Sequence, residues 1–271
     1  MLRSMTTDRT SGRLAIAAVS VFLTFAPTMD AAETRQTGEV LVAAAADLKF
    51  AMDELGRAFE RANPEVKLRM TFGSSGNFFS QISNGAPFDL FLSADADYPR
   101  RLAAAGLGRG EVFLYGVGRL AVVVPESSAI PLARDGIRAL ADPSVRHVAI
   151  ANPKHAPYGQ AAAAAMASLG VFAAVKEKLV LGENVAQAAQ FVESGAAEAG
   201  VVALSLALAS TVRGRLRFWP VPASAHPRID QGGLVLKGGA NGDGAAVFRD
   251  FLLSPAGRTV LKRFGFEIPA D

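Results

Sequence analysis

FGSSGNFFSQISNGAPFD, residues Phe72–Asp89, is the stretch whose reading decides the fold. It continues from Val66–Phe72, where Val66, Leu68, Met70 and Phe72 alternate with polar residues in the period of a half-buried strand. Gly73-Ser74-Ser75-Gly76-Asn77 breaks the alternation, and Phe78, Phe79 and Ile82 then mark a helical face. A strand that ends in small hydroxyl residues where a helix starts leaves backbone N–H groups without partners. Those donors, the hydroxyls of Ser74 and Ser75 and the positive end of the helix dipole suit an oxyanion. The same residues also read as an ordinary serine N-cap on a glycine-rich turn. Only agreement with the rest of the chain separates the two readings.

Upstream, Glu39–Ala45 (EVLVAAA) reads as a strand buried on both faces. Asp47 stands where a helix N-cap belongs, and Leu48, Ala51, Met52, Leu55, Ala58 and Phe59 recur at helical spacing until Asn63-Pro64. Downstream, Phe88–Ser93 is another buried strand and Tyr98–Ala105 a short helix closed by Gly106. Leu120–Val124 leaves this first unit. A second unit follows, with helix Ile137–Ala141, strand His147–Ala151, the Pro-framed turn Asn152–Gly159, helix Gln160–Leu169, helix Val185–Ser194 and strand Gly200–Ala203. Leu216–Val221 runs back, Leu234–Lys237 is a last strand, and helices near Gly244–Leu253 and Pro255–Phe264 close the chain.

Alternating strand and helix predicts parallel sheets with helices on both faces. Two extended crossings between two such units predict a two-lobed α/β clam-shell. Its lobes are 33–118 with 222–271, and 119–221. Ligands of open sheets bind beyond the carboxyl ends of the strands, so both edges face one cleft.

The 271 residues are half apolar and one-fifth charged, with a net charge of +3, the balance of a soluble globular protein. No run of Lys and Arg interleaves with aromatics, which argues against nucleic acid. Arg3, Arg9 and Arg13 precede the uncharged run Leu14–Ala26, the pattern of an export signal over residues 1–32. That run is short for a bilayer span, the rival reading. There is no cysteine, so neither disulfides nor Cys-based zinc sites arise. His147, His155 and His226 lack metal-ligand spacing, and no residues are expected to hold a metal cation. The stretch GSSG lacks the GK[ST] of a phosphate-binding loop and is no G-x-S-x-G elbow. Trp219, beside Pro220 in the expected hinge, reads as a packing residue that would report closure.

Four strand-to-helix junctions are built alike, namely Ala46-Asp47-Leu48, Ser74-Ser75-Gly76-Asn77, Ala156–Gln160 and Glu183-Asn184-Val185. Each delivers free amides, two sets from each unit. On facing edges they form a cage of neutral donors for a small dianion.

These blocks resemble the periplasmic molybdate-binding proteins of ABC transporters. The likeness lies in AAADLKFAMDEL (Ala44–Leu55), FGSSGNFFSQISNGAPFDLFLSAD (Phe72–Asp95), ANPKHAPYGQAA (Ala151–Ala162), LGENVAQAAQFV (Leu181–Val192) and RFGF (Arg263–Phe266). The resemblance implies a type II periplasmic binding fold that closes on molybdate or tungstate between its lobes. It implies a hydroxyl and an amide from Ser75, with Ser74 beside it, and main-chain amides from Tyr158 and Val185. Ala46 or Asp47 stands where family members carry a serine, and Ala203 where many carry a tyrosine. Two side-chain donors are thus absent, at roughly 1 kcal/mol or more each. An ionised Asp47 about 5 Å from a dianion, at an effective dielectric of about 20, would cost roughly 6–7 kcal/mol. Asp47 is therefore expected either to cap its own helix or to be protonated when ligand is bound.

The resemblance implies a monomeric, non-enzymatic receptor without a cofactor, exported to the periplasm and delivering its oxyanion to a permease. The alternatives are a receptor for another oxyanion or a small carboxylated solute and, from another class, a hydrolase using Ser75.

Overall fold

The computed structural model describes residues 38–269; the expected export signal, residues 1–32, lies outside them. The chain opens with β1 (Glu39–Ala45), a 3₁₀ turn (Ala46–Leu48), α1 (Lys49–Ala62), β2 (Lys67–Gly73), α2 (Ser75–Ser83), β3 (Leu90–Ser93), α3 (Asp97–Ala104) and β4 (Phe113–Gly118). Next come β5 (Leu120–Pro125), α4 (Leu132–Asp135) with a 3₁₀ extension (Gly136–Ala141), β6 (Val148–Ala151), α5 (Pro157–Ser168) and α6 (Phe172–Val175). After these come β7 (Leu179–Gly182), α7 (Val185–Glu193), β8 (Ala199–Ala203), α8 (Leu204–Val212) and β9 (Leu216–Pro220). β10 (Ile229–Val235), α9 (Gly242–Leu253) and α10 (Pro255–Arg263) follow.

β1 is apolar from Val40 because it lies between β2 and β3, parallel to both, with Val42 opposite Met70 on one side and Leu90 on the other. α1 buries Ala51, Met52, Leu55 and Phe59 against it, and Phe59 meets Phe248 of α9 edge to face. On the other face α2 and α3 bury Phe78, Ile82 and Leu102 around Phe91. Helices thus cover both faces of this sheet, whose order is β2-β1-β3-β10-β4. The second sheet runs β7-β6-β8-β5-β9.

Both sheets are mixed, where alternation of strand and helix predicts parallel pairing throughout. The βαβ units do build parallel cores, β2-β1-β3 and β7-β6-β8. The crossing strands reverse the pattern, since they pass between sheets without a helix. β10 is antiparallel to β3 and β4, and β5 is antiparallel to β8 and β9. β4 reaches β5 through Arg119 alone, and the chain returns between β9 and β10. Trp219 lies inside β9, opposite Val122, and its ring packs so closely on Gly136 that a Cβ there would come within 2.8 Å of it. It belongs to the second sheet and not to a hinge.

β10 carries an irregularity between Gln231 and Gly232 against β4. A bulge of this kind re-aims side chains, and Gln231 is fully buried. Glycine is required two residues on, where a Cβ at Gly233 would overlap the Phe113 ring.

Candidate functional site

The carboxyl ends of β1 and β2 feed directly into helical turns, β6 reaches α5 through residues 152–156, and these three junctions meet the start of α7. Ala46 and Asp47, Ser74 and Ser75, Ala156 and Tyr158, and Val185 line one hollow of about 10 Å³. Every one of them is at least nine-tenths buried. The sequence-predicted residues are therefore together, with one exception. Ala203 ends β8 opposite Leu120, fully buried, away from the hollow, and its methyl group offers no donor.

Local folding explains what each junction presents. Ser74 precedes α2 with extended backbone and makes no side-chain cap, so the first-turn amides of α2 depend on partners outside the helix. Gly76 N–H finds one in the carbonyl of His155, at 2.9 Å, across the lobes. A Cβ at Gly76 would stand 2.6 Å from that carbonyl, which is why glycine sits there. Ser75 Oγ accepts from Ala94 N–H at 2.9 Å, which leaves its own O–H to donate. Pro157 opens α5, putting the Tyr158 amide in a first turn without an intrahelical acceptor. Asn184 caps α7 by accepting from Ala186 and Gln187, one residue beyond Val185, whose amide is the first of that helix.

Asp47 does not cap its helix. The 3₁₀ turn displaces the start of α1, whose N-cap is Leu48, and no side chain caps either element. The Asp47 carboxylate turns inward instead. Its Oδ2 accepts from Tyr158 O–H at 3.0 Å and from Gln231 Nε2 at 2.5 Å. Gln231 Nε2 also donates to Tyr158 at 3.1 Å, and Gln231 Oε1 lies 2.8 Å from the hydroxyl of Tyr115. Ser205 Oγ donates to the Asp47 carbonyl at 2.7 Å. The remaining carboxylate oxygen, Oδ1, is buried without a hydrogen-bond partner among the described residues. Burial pushes Asp47 up to about 6, against the lowering pull of Gln231 and Tyr158. Burial also pushes both phenols well above their ordinary value, with the Asp47 charge adding to it.

Gln231, Tyr115 and Ser205 are missing from what the sequence predicts. The one available signal is a glutamine inside the apolar strand IDQGGLV, where a polar side chain needs a buried partner.

Ser74 Oγ lies 2.9 Å from Nδ1 of His155, and Nε2 of that ring is 3.7 Å from Glu183. Serine, histidine and carboxylate in this order are the parts of an activated nucleophile. Here they join two lobes at the wall of the hollow, and Ser74 is buried. Ser75 has its oxygen on the Ala94 amide instead of on a base.

A larger hollow of about 780 Å³ borders Phe50, Gln187 and Arg213. Its arginines are already engaged, Arg213 and Arg215 with Glu193, and Arg213 also over the Phe50 ring. The smaller hollow gathers donors and no Lys or Arg. Its free volume, about that of one water, is smaller than a tetrahedral oxyanion.

The profile of the bacterial extracellular solute-binding proteins matches residues 40–267. The chain is 38% identical over 232 residues to molybdate-binding protein ModA of Azotobacter vinelandii, covering 85% of this chain and 90% of that protein. It is 36% identical over 230 residues to molybdate-binding protein ModA of Rhodobacter capsulatus, covering 84% and 88%. A solved Azotobacter vinelandii periplasmic molybdate-binding protein aligns at a TM-score of 0.78 and 29% identity, over 85% of this chain and 100% of that one.

Proposed function

Because this chain belongs to the bacterial extracellular solute-binding proteins, we propose that it captures molybdate or tungstate in the periplasm and presents it to the permease of an ABC transporter. It acts as a monomer and without catalysis. Its lobes are 33–118 with 222–271, and 119–221, and residues 1–32 direct its export.

The observation that carries this reading is the convergence of uncharged donors on one hollow from both sheets. The Ser75 hydroxyl and the first-turn amides of Ser75, Tyr158 and Val185 stand at its wall, with no cationic side chain among them. Hydrogen bonds to a charged acceptor are the stronger kind, so such a cage holds a dianion without lysine or arginine. Ala46 contributes shape, Ser74 holds the wall through His155, and Ala203 takes no part. Sulfate matches molybdate in charge and geometry, so discrimination falls to the dimensions of the cage.

Calorimetry of the purified protein against molybdate, tungstate, sulfate and phosphate tests the reading. Binding of the first two at micromolar concentrations or below, with neither of the others, is the expected result. No heat from molybdate or tungstate would overturn it.

A further inference from the structure

We propose that the site takes up one proton with each oxyanion, held between Asp47 Oδ1 and an oxygen of the ligand. This rests on the oxyanion reading above and adds to it a coupling between capture and pH.

The geometry fixes Asp47 at the wall of the hollow. Its carbonyl is fixed by Ser205, its Oδ2 by Tyr158 and Gln231, and the turn that bears it is buried from Ala46 to Leu48. The donors of that network are spent. Both hydrogens of the Gln231 amide and the one hydrogen of Tyr158 go to Oδ2 or to each other, so neither side chain has a hydrogen left for Oδ1. Asp47 and the donors of Ser75, Tyr158 and Val185 line the same hollow, so an oxyanion held by those donors lies beside the Asp47 carboxyl, whose Oδ1 is the oxygen left to meet it. Two negatively charged acceptors do not share a contact unless a hydrogen lies between them.

Among the described residues no Lys, Arg or His side chain lines the hollow; His155 stands behind its wall, with Nδ1 2.9 Å from Ser74 Oγ and Nε2 3.7 Å from Glu183. The ionisable groups facing Asp47 are the phenols of Tyr158 on α5 and Tyr115 on β4, both kept neutral by burial. α8 carries no charged residue, and in α7 the first is Glu193 at its far end. On α1, Lys49 is exposed, as are Lys67 and Arg69 at the distant end of β2. The balance is one carboxylate, one proton and one dianion giving a carboxylic acid hydrogen-bonded to the dianion, with no bond of the ligand broken. Burial already favours the acid form of Asp47, with a midpoint near pH 6. Below that pH the proton is in place before ligand arrives. Above it the proton is drawn from solvent, and affinity falls about tenfold per pH unit.

Titration of the purified protein with dilute sodium molybdate, in buffers of different ionisation enthalpy, counts the protons. The expected result is about one proton taken up per molybdate at pH 8, almost none at pH 5, and affinity about 50-fold weaker at pH 8 than at pH 6. Asp47→Asn retains the shape and supplies an amide donor, so its uptake falls to zero and its affinity becomes flat with pH. Molybdate binding by the wild-type protein at pH 8 with no proton uptake would overturn the proposal, and this count decides even where the variant does not fold. Binding that is level with pH removes the proton coupling and leaves the oxyanion receptor standing. Absence of binding at both pH values removes both.

Discussion

The hydroxyl of Tyr158 donates to Oδ2 of Asp47 across 3.0 Å, and the two residues belong to opposite lobes. One side chain thus bolts the closed arrangement while its main-chain amide stands at the wall of the hollow. Tyr158→Phe separates the two roles. Removing one donor from a buried carboxylate costs about 1–3 kcal/mol, so thermal unfolding is expected to shift downward by several degrees. Oxyanion affinity should fall by less than tenfold, because the amide remains. A loss of more than 100-fold in calorimetry would place the phenol itself on the ligand.

Ser75 has a different balance. Its oxygen already serves the Ala94 amide and its hydrogen is available. Ser75→Ala orphans that amide and deletes a ligand donor. A roughly tenfold to 100-fold weaker binding of molybdate is expected, with destabilisation of about 1–2 kcal/mol measured by denaturant unfolding. Ser74→Ala disturbs only the contact to His155 and should change affinity several-fold less.

Asp47 makes stability depend on pH in a known direction. Its carboxyl titrates at about 6 in the folded protein against an ordinary 3.8. Between these values the folded state holds the proton that the unfolded state has lost. Stability therefore falls as pH rises from about 4 to about 6 and then levels, by up to about 3 kcal/mol from this one group. Asp47→Asn should melt higher than the wild type at pH 8 without ligand, and the gap should vanish near pH 4. Equal melting temperatures at pH 8 would contradict the burial assigned to this carboxylate.

Gly118 is glycine for the sake of Tyr158. A Cβ at that position would overlap the phenol oxygen and stand 2.9 Å from Gln231 Nε2. Both groups are buried, so neither swings clear. Gly118→Ala is expected to cost about 1–3 kcal/mol by overpacking and to weaken molybdate binding by disturbing closure. Unchanged affinity and unchanged melting temperature would show that the phenol has somewhere else to go.

Much of the fold was legible because its signals are local. β1, α1 and the β2-to-α2 junction follow from alternation, helical spacing and the glycine-serine break. α8 escaped notice because LSLALASTV is apolar on nearly every side, which leaves no stripe to read. β4 escaped because glycines interrupt FLYGVG. Antiparallel pairing of β10 is invisible in sequence, since its partners lie more than a hundred residues upstream. The candidate site divides in the same way. Ser75, Tyr158 and Val185 sit at helix starts that announce themselves, and the structure brings them to one hollow. Gln231 reaches Asp47 from 184 residues away, so no spacing rule points to it. The capping role expected of Asp47 fails because a 3₁₀ turn intervenes before α1 and rotates the carboxylate inward.

The irregularity in β10 constrains how this chain can change length. Inserting or deleting one residue within that strand would send alternate side chains to the opposite face of the sheet, and the glutamine amide would then point away from the acid it steadies. The stretch between β9 and β10 has no such alternation to preserve. Drift in length among descendants of this gene is therefore expected to accumulate there, and to stop at Ile229.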